Sequence, residues 1–65
     1  MYVIVNGHTH LLPEPRTLAA LLRSVSPSVP FIVARNDEVV PSGAYEACHI
    51  DPGDRIDIVH PAAGG

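Results

Sequence analysis

Lysine and tryptophan are both absent from this chain of 65 residues, and cysteine and phenylalanine occur once each. Each absence excludes something. Without lysine there is no side-chain amine to accept an isopeptide bond. With Cys48 alone, no disulfide can close within the chain, so a small core has to hold by packing, as it does in reducing compartments. Seven acids against four basic residues give a net charge of −3. No basic cluster supplies the positive footprint that a phosphate backbone needs, which argues against nucleic acid as a partner. The apolar run of about eighteen residues that a spanning helix requires is missing. The opening MYVIVNGHTH has neither the basic start nor the long apolar segment of a secretory signal. A membrane is therefore not an expected partner, and the expected compartment is the cytoplasm.

What is present is the composition of a small globular domain, 46% hydrophobic and 17% charged. At this length only about 60% of the unfolded chain's surface is buried on folding. That is enough for one domain and leaves no room for an internal catalytic cleft.

The order of elements follows from local patterns. Residues 2 to 5, YVIV, are β-branched or aromatic, and Asn6-Gly7 behind them is a strong hairpin signal, because both residues accept positive φ. The return strand runs through HTHLL, and Pro13 and Pro15, which have no N–H to donate, end it. In TLAALLRSV the residues Leu18, Leu21, Leu22 and Val25 fall at i, i+3, i+4 and i+7 on one helical face, with Thr17 at the N-cap. Pro27 and Pro30 stop that helix. FIVAR, residues 31 to 35, the turn residues Asn36 and Asp37, and EVV make a second hairpin. Residues 41 to 50 have no clean period and read as a loop with one helical turn around Ala44 to Ala47. The turn DPGD launches the last strand, RIDIVH, in which Ile56 and Ile58 alternate toward the core. One helix covers one face of a sheet. Tyr2, Ile4 and Val59 are assigned to the other face, where exposed apolar residues on a small protein point to a partner.

The chain closes on HPAAGG. Glycine loses the most freedom when ordered, so a pair placed after the last strand adds nothing to folding. A frayed terminus would carry the same two residues, and the rest of the chain has to decide between the two readings.

The opening VIVNG, the helix start TLAALL, VARNDEVVP in the middle, GDRIDIV before the tail and the terminal GG together resemble the ubiquitin-like β-grasp sulfur carriers, in particular the ThiS family of thiamine biosynthesis. The resemblance runs over the whole length. It implies an α+β fold, a mixed sheet of about five strands with one main helix packed on one face and the first and last strands parallel neighbours. Residues 1–60 would form the domain and 61–65 a flexible tail. The tail PAAGG departs from relatives that more often have a bulkier apolar residue or a third glycine before the last pair.

The chemistry implied by the resemblance belongs to other proteins. An E1-like adenylyltransferase of the ThiF type would adenylate the Gly65 carboxylate with ATP and Mg²⁺. A persulfide donor, a cysteine desulfurase or its equivalent, would then displace AMP and leave a thiocarboxylate, which a thiazole synthase of the ThiG type would consume. On this reading the chain is a cosubstrate and not an enzyme, and binds no cofactor of its own. Gly64 and Gly65 form the reacting end, narrow enough to thread a channel that a Cβ would block. Tyr2, Ile4 and Val59 on the sheet, with His60, Ala62 and Ala63 leading into the tail, are the expected partner-binding residues. Asp51, Asp54 and Asp57 would suit a basic groove on the activating enzyme, although Asp51 also stands where a β-turn begins. Cys48 has nothing beside it in sequence that would activate a thiol, and reads as a small buried hydrophobe. His8 and His10 lack a third metal ligand at a recognisable spacing. Two alternatives remain open: the small subunit of a molybdopterin synthase, which shares fold and tail but is usually longer, and a β-grasp interaction module with an incidental tail.

Overall fold

In a computed structural model of the chain, which describes residues 1–61, both hairpins form at turns that need two consecutive residues at positive φ. Asn6 (φ 50°) and Gly7 (φ 81°) join β1, Tyr2–Val5, to β2, His8–Leu11. Asn36 (φ 49°) and Asp37 (φ 71°) join β3, Ile32–Arg35, to β4, Glu38–Val40. The second turn dispenses with glycine, and Asn and Asp are the side chains that tolerate this region best.

Between the hairpins lies α1, Leu18–Val25, and its start is capped from two directions. Thr17 Oγ1 accepts the Ala20 N–H at 3.2 Å, as expected of the N-cap. The Leu18 and Ala19 N–H groups, orphaned in any helix start, donate to the carbonyls of Cys48 (2.8 Å) and Tyr45 (3.1 Å). The helix ends at Ser26, at φ 46°, whose N–H returns to the Leu22 carbonyl at 2.8 Å. Segment 41–50 thus serves as a lid on the helix start. It contains a short 3-10 helix at Ser42–Ala44, which runs on into the turn expected at Ala44 to Ala47, closed by the Ala47 N–H on the Ala44 carbonyl at 3.2 Å, and the Ile50 N–H bonds the Arg16 carbonyl at 2.8 Å.

The last strand, β5, spans Arg55–Val59, and the sheet order is β2-β1-β5-β3-β4. β5 pairs parallel with β1 and antiparallel with β3. The fold is the expected mixed five-stranded sheet with one helix on one face. Three strand ends differ from the sequence reading. β2 stops at Leu11, ahead of Pro13. β3 begins at Ile32, because Phe31 follows Pro30 and stacks its ring on Tyr45, centroids 6.4 Å apart. β5 ends at Val59, one residue short of His60, because Pro61 has no N–H to continue a ladder.

The core lies between α1 and the covered face. Val3, Leu18, Leu21, Val33 and Ile56 are fully buried, joined by Leu12, Leu22, Ile50 and Ile58. Val25 is half-buried and packs against this cluster instead of lying within it. No helix among the described residues is long and apolar enough to cross a membrane.

Candidate functional site

The expected reacting end follows β5, and β5 is the middle strand of the sheet, hydrogen-bonded on both sides. On the β1 side the Ile4 N–H donates to the Asp54 carbonyl and the Asn6 N–H to the Ile56 carbonyl, both at 2.9 Å. On the β3 side the Asn36 N–H donates to the Arg55 carbonyl at 2.8 Å. Two asparagine side chains add to this: Asn36 Oδ1 accepts the Arg55 N–H at 2.9 Å and Asn6 Oδ1 accepts the Ile58 N–H at 2.7 Å. Val59, opposite Ile32, is the last paired residue. His60 and Pro61 follow, both exposed. Ala62, Ala63, Gly64 and Gly65 lie outside the described residues.

The launch of β5 is held by a polar knot. Within the 51–54 turn the Asp54 N–H donates to the Asp51 carbonyl at 3.1 Å, and Gly53, at φ 82°, donates its N–H to the Tyr2 carbonyl at 3.0 Å. The Asp54 carboxylate accepts from Arg35 Nε (2.8 Å), the Asp51 N–H (2.9 Å) and Asn36 Nδ2 (3.2 Å). Burial alone would raise this carboxyl; the hydrogen bonds from Asp51, Asn36 and Arg35, with the Arg35 charge, outweigh it and hold Asp54 below the usual carboxylate range. Asp51, largely exposed, pairs with Arg35 at 3.2 Å. Asp51 and Asp54 therefore act within the fold, as turn residue and anchor.

On the uncovered face the structure sorts the expected partner residues into two groups. Tyr2, Ile4 and Val59 are 62%, 36% and 54% exposed, and all three are on that face. Ile4, however, lies beside Arg55 in the parallel register, four residues before Val59. At about 3.3 Å per residue this separates them by about 13 Å along the sheet. Tyr2 and Ile4 group with Leu11, which pairs directly with Tyr2. Val59 groups with Ile32, its cross-strand partner, and Val39, opposite Ala34 on the edge strand, extends this side of the face diagonally. Between the groups run Arg55 and Asp57, paired at 3.2 Å, with Asp37 also on the Arg55 guanidinium. The face is thus two apolar patches divided by an ionic strip, the second patch standing where the chain leaves the sheet. Leu11, Ile32 and Val39 are members that sequence reading missed. FIVAR is apolar almost throughout, so only its pairing with β5 reveals that Ile32 faces outward.

Cys48 is half-buried and packs against the core, with its carbonyl engaged by α1. Among the described residues no group of three or more His, Cys, Asp or Glu is arranged to hold a metal.

Comparison with known proteins adds the following. The family model described as "ThiS family" matches residues 3–65. No curated protein sequence matches the chain significantly. Among solved structures, the crystal structure of a thiamine biosynthesis protein (ThiS) from Geobacter metallireducens superposes with a TM-score of 0.84 at 23% identity, with 100% of both chains covered. The solution NMR structure of a thiamine biosynthesis protein from the same organism gives a TM-score of 0.75 at 23% identity, covering 100% of this chain and 88% of that one. At this identity the likeness to these structures speaks for the fold.

Proposed function

Because the chain belongs to the ThiS family, we propose that it is a sulfur carrier of thiamine biosynthesis whose Gly65 carboxylate is the group that carries the sulfur. The observation that carries this reading is the family match, which runs to residue 65 and so includes the terminal glycine pair. The sheet supports it: the strand that leads to the tail is the middle strand, hydrogen-bonded on both sides, and an apolar patch flanks its exit.

The chemistry follows from the weakness of a carboxylate as an electrophile. A Gly65 carboxylate oxygen attacks the α-phosphorus of ATP and pyrophosphate leaves. The terminal sulfur of a persulfide then attacks the acyl carbon and AMP leaves. A thiol cleaves the S–S bond of the resulting acyl disulfide, giving the thiocarboxylate and a disulfide on the donor. ATP and Mg²⁺ belong to an E1-like activating partner of the ThiF type, and the sulfur goes to a thiazole synthase of the ThiG type. This chain contributes a docking face and a slender reactive end. Gly64 and Gly65 enter the partner's channel, and Pro61, Ala62 and Ala63 connect them to His60. Tyr2, Ile4 and Leu11 form one docking patch and Val59, Ile32 and Val39 the other. The family match favours the thiamine branch over a molybdopterin synthase subunit.

The test is to incubate the protein with an activating enzyme of this class, ATP, Mg²⁺ and a persulfide donor, and to record the intact mass. The expected product has one oxygen replaced by sulfur at the C-terminal residue. An unchanged mass, with an activating enzyme shown to be competent on its own carrier, contradicts the proposal.

A further inference from the structure

Each hairpin turn opens on an asparagine at positive φ, and each asparagine directs its side-chain oxygen to an N–H of β5. Asn36 takes the Arg55 N–H at the start of the strand. Asn6 takes the Ile58 N–H, 52 positions further along the chain and one residue before the last paired position. The hairpin itself does not require this bond, because Gly-Gly makes the same turn.

What requires it is the shortness of β1. The parallel ladder between β1 and β5 covers only Ile4↔Arg55 and Val5↔Ile56. Its last backbone rung is the Asn6 N–H on the Ile56 carbonyl at 2.9 Å. In a parallel ladder the next rung would run from the Ile58 N–H to the backbone carbonyl of residue 6. At φ 50° the chain has already turned into the hairpin at that point, and the Asn6 side-chain carbonyl takes the rung instead. β5 is thereby bonded on its β1 side for two residues more than β1 itself extends.

Resting on the sulfur-carrier reading above, we infer that Asn6 is a positioning residue for the reactive terminus. By pinning Ile58 on the β1 side, next to the Val59–Ile32 pair on the β3 side, it fixes the direction in which the chain leaves the sheet. From Val59 the carboxylate of Gly65 is six residues away, a reach of about 20 Å at about 3.3 to 3.6 Å per residue. Release of the pin leaves Val59 paired with Ile32, so the reach is unchanged, but the end of β5 is then held from the β3 side only, which widens the range of directions from which the carboxylate approaches the nucleotide. Docking through the open face is unaffected, so the loss falls on turnover and not on affinity.

Three variants test this. Asn6→Gly keeps the turn, since glycine adopts positive φ without strain, and removes only the side-chain bond. Asn6→Asp keeps an acceptor oxygen on a residue that tolerates the left-handed region. Asn36→Gly makes the same change at the other turn, removing the bonds to the Arg55 N–H and to Asp54. Amide exchange at Ile58 reports the pin, and pyrophosphate exchange with the activating enzyme, resolved into kcat and KM, reports positioning. For Asn6→Gly the expected results are Ile58 exchange about tenfold faster, the equivalent of one hydrogen bond, and kcat lower by about tenfold, within the hundredfold that a misplacement of about 1 Å causes. KM for the carrier stays within about twofold, because the docking contacts are intact. Asn6→Asp recovers most of both, and Asn36→Gly, with at least as large a loss of stability, keeps the parent kcat. A parent-like kcat in Asn6→Gly, or an equal fall in Asn36→Gly, overturns the inference. Failure of the unsubstituted protein to support exchange instead overturns the carrier reading, and the inference falls with it.

Discussion

Replacing Ile58 by alanine probes the element on which the site depends. Ile58 lies on the covered face of the central strand, opposite Val33, and is 9% exposed. The substitution deletes three carbons, worth about 2.4 kcal/mol at about 0.8 kcal/mol per buried methylene. The void left behind adds up to about 2 kcal/mol where the surroundings fail to collapse. A loss of about 2.5 to 4.5 kcal/mol is large against the total of about 3 to 10 kcal/mol expected for a domain of this size. At about 4 to 8 °C per kcal/mol, the thermal midpoint is expected to fall by at least about 10 °C. The adjacent Val59→Ala, on the open face and 54% exposed, is the control. Its expected cost is within about 1 kcal/mol. The assay is thermal or urea unfolding followed by circular dichroism on both variants. Equal midpoints, or a larger loss at Val59, would refute the register and with it the assignment of the open face.

The proposed docking face consists of two apolar patches, so Ile4→Asp and Val59→Asp are each expected to weaken binding to the activating enzyme in a titration while leaving the circular dichroism spectrum unchanged; unaltered affinity in both variants removes the sheet face from the interface. Asp54 has its carboxyl pKa lowered in the folded state, so the unfolded chain binds more protons in the acid range. Its contribution to stability is therefore complete above the unfolded carboxylate pKa of about 3.9 and is lost as pH falls through the lower folded value. Asp54→Asn is expected to cost about 1 to 3 kcal/mol near neutral pH, where the bonds from Arg35, Asn36 and Asp51 lose their charged acceptor, and to flatten the decline of stability below about pH 4. A variant with the parent's acid limb would show that Asp54 is not its source.

Much of this fold is legible where the sequence contrasts polar with apolar at a fixed period. The leucines of α1 stand against Arg23 and Ser24, and Ile56 and Ile58 against Arg55 and Asp57, so both buried faces can be read directly. The Asn6-Gly7 turn and the Thr17 cap are equally local. Where contrast is missing, the face is hidden. YVIV and FIVAR are apolar on both sides, and only the pairing of β1 and β3 with β5 shows that Val3 and Val33 are buried while Ile4 and Ile32 are exposed. Ile50 has no periodic neighbours at all and is buried because segment 41–50 folds over the start of α1. The terminal glycines proposed as the reacting end are plain in the sequence, but the pairing of the strand ahead of them is not. The separation of Val59 from Ile4 comes from the offset of a parallel pair, and the Asn6 bond to Ile58 joins two residues that no local pattern connects.

The central claim is that the end of the chain is the reacting group, and pyrophosphate exchange with an activating enzyme tests it most directly on three proteins: the parent, Gly64→Ala and a form lacking Gly65. The core and the ladders are complete by Val59, so all three are expected to give the same circular dichroism spectrum and midpoint. The added methyl of Gly64→Ala must displace the terminus in a channel shaped for glycine, and a shift of about 1 Å at a reacting centre costs on the order of a hundredfold in rate. Removal of Gly65 withdraws the carboxylate by about 3.5 Å and is expected to abolish exchange. Exchange in both variants as fast as in the parent would contradict the account, because the terminal glycines would then not be the site of activation.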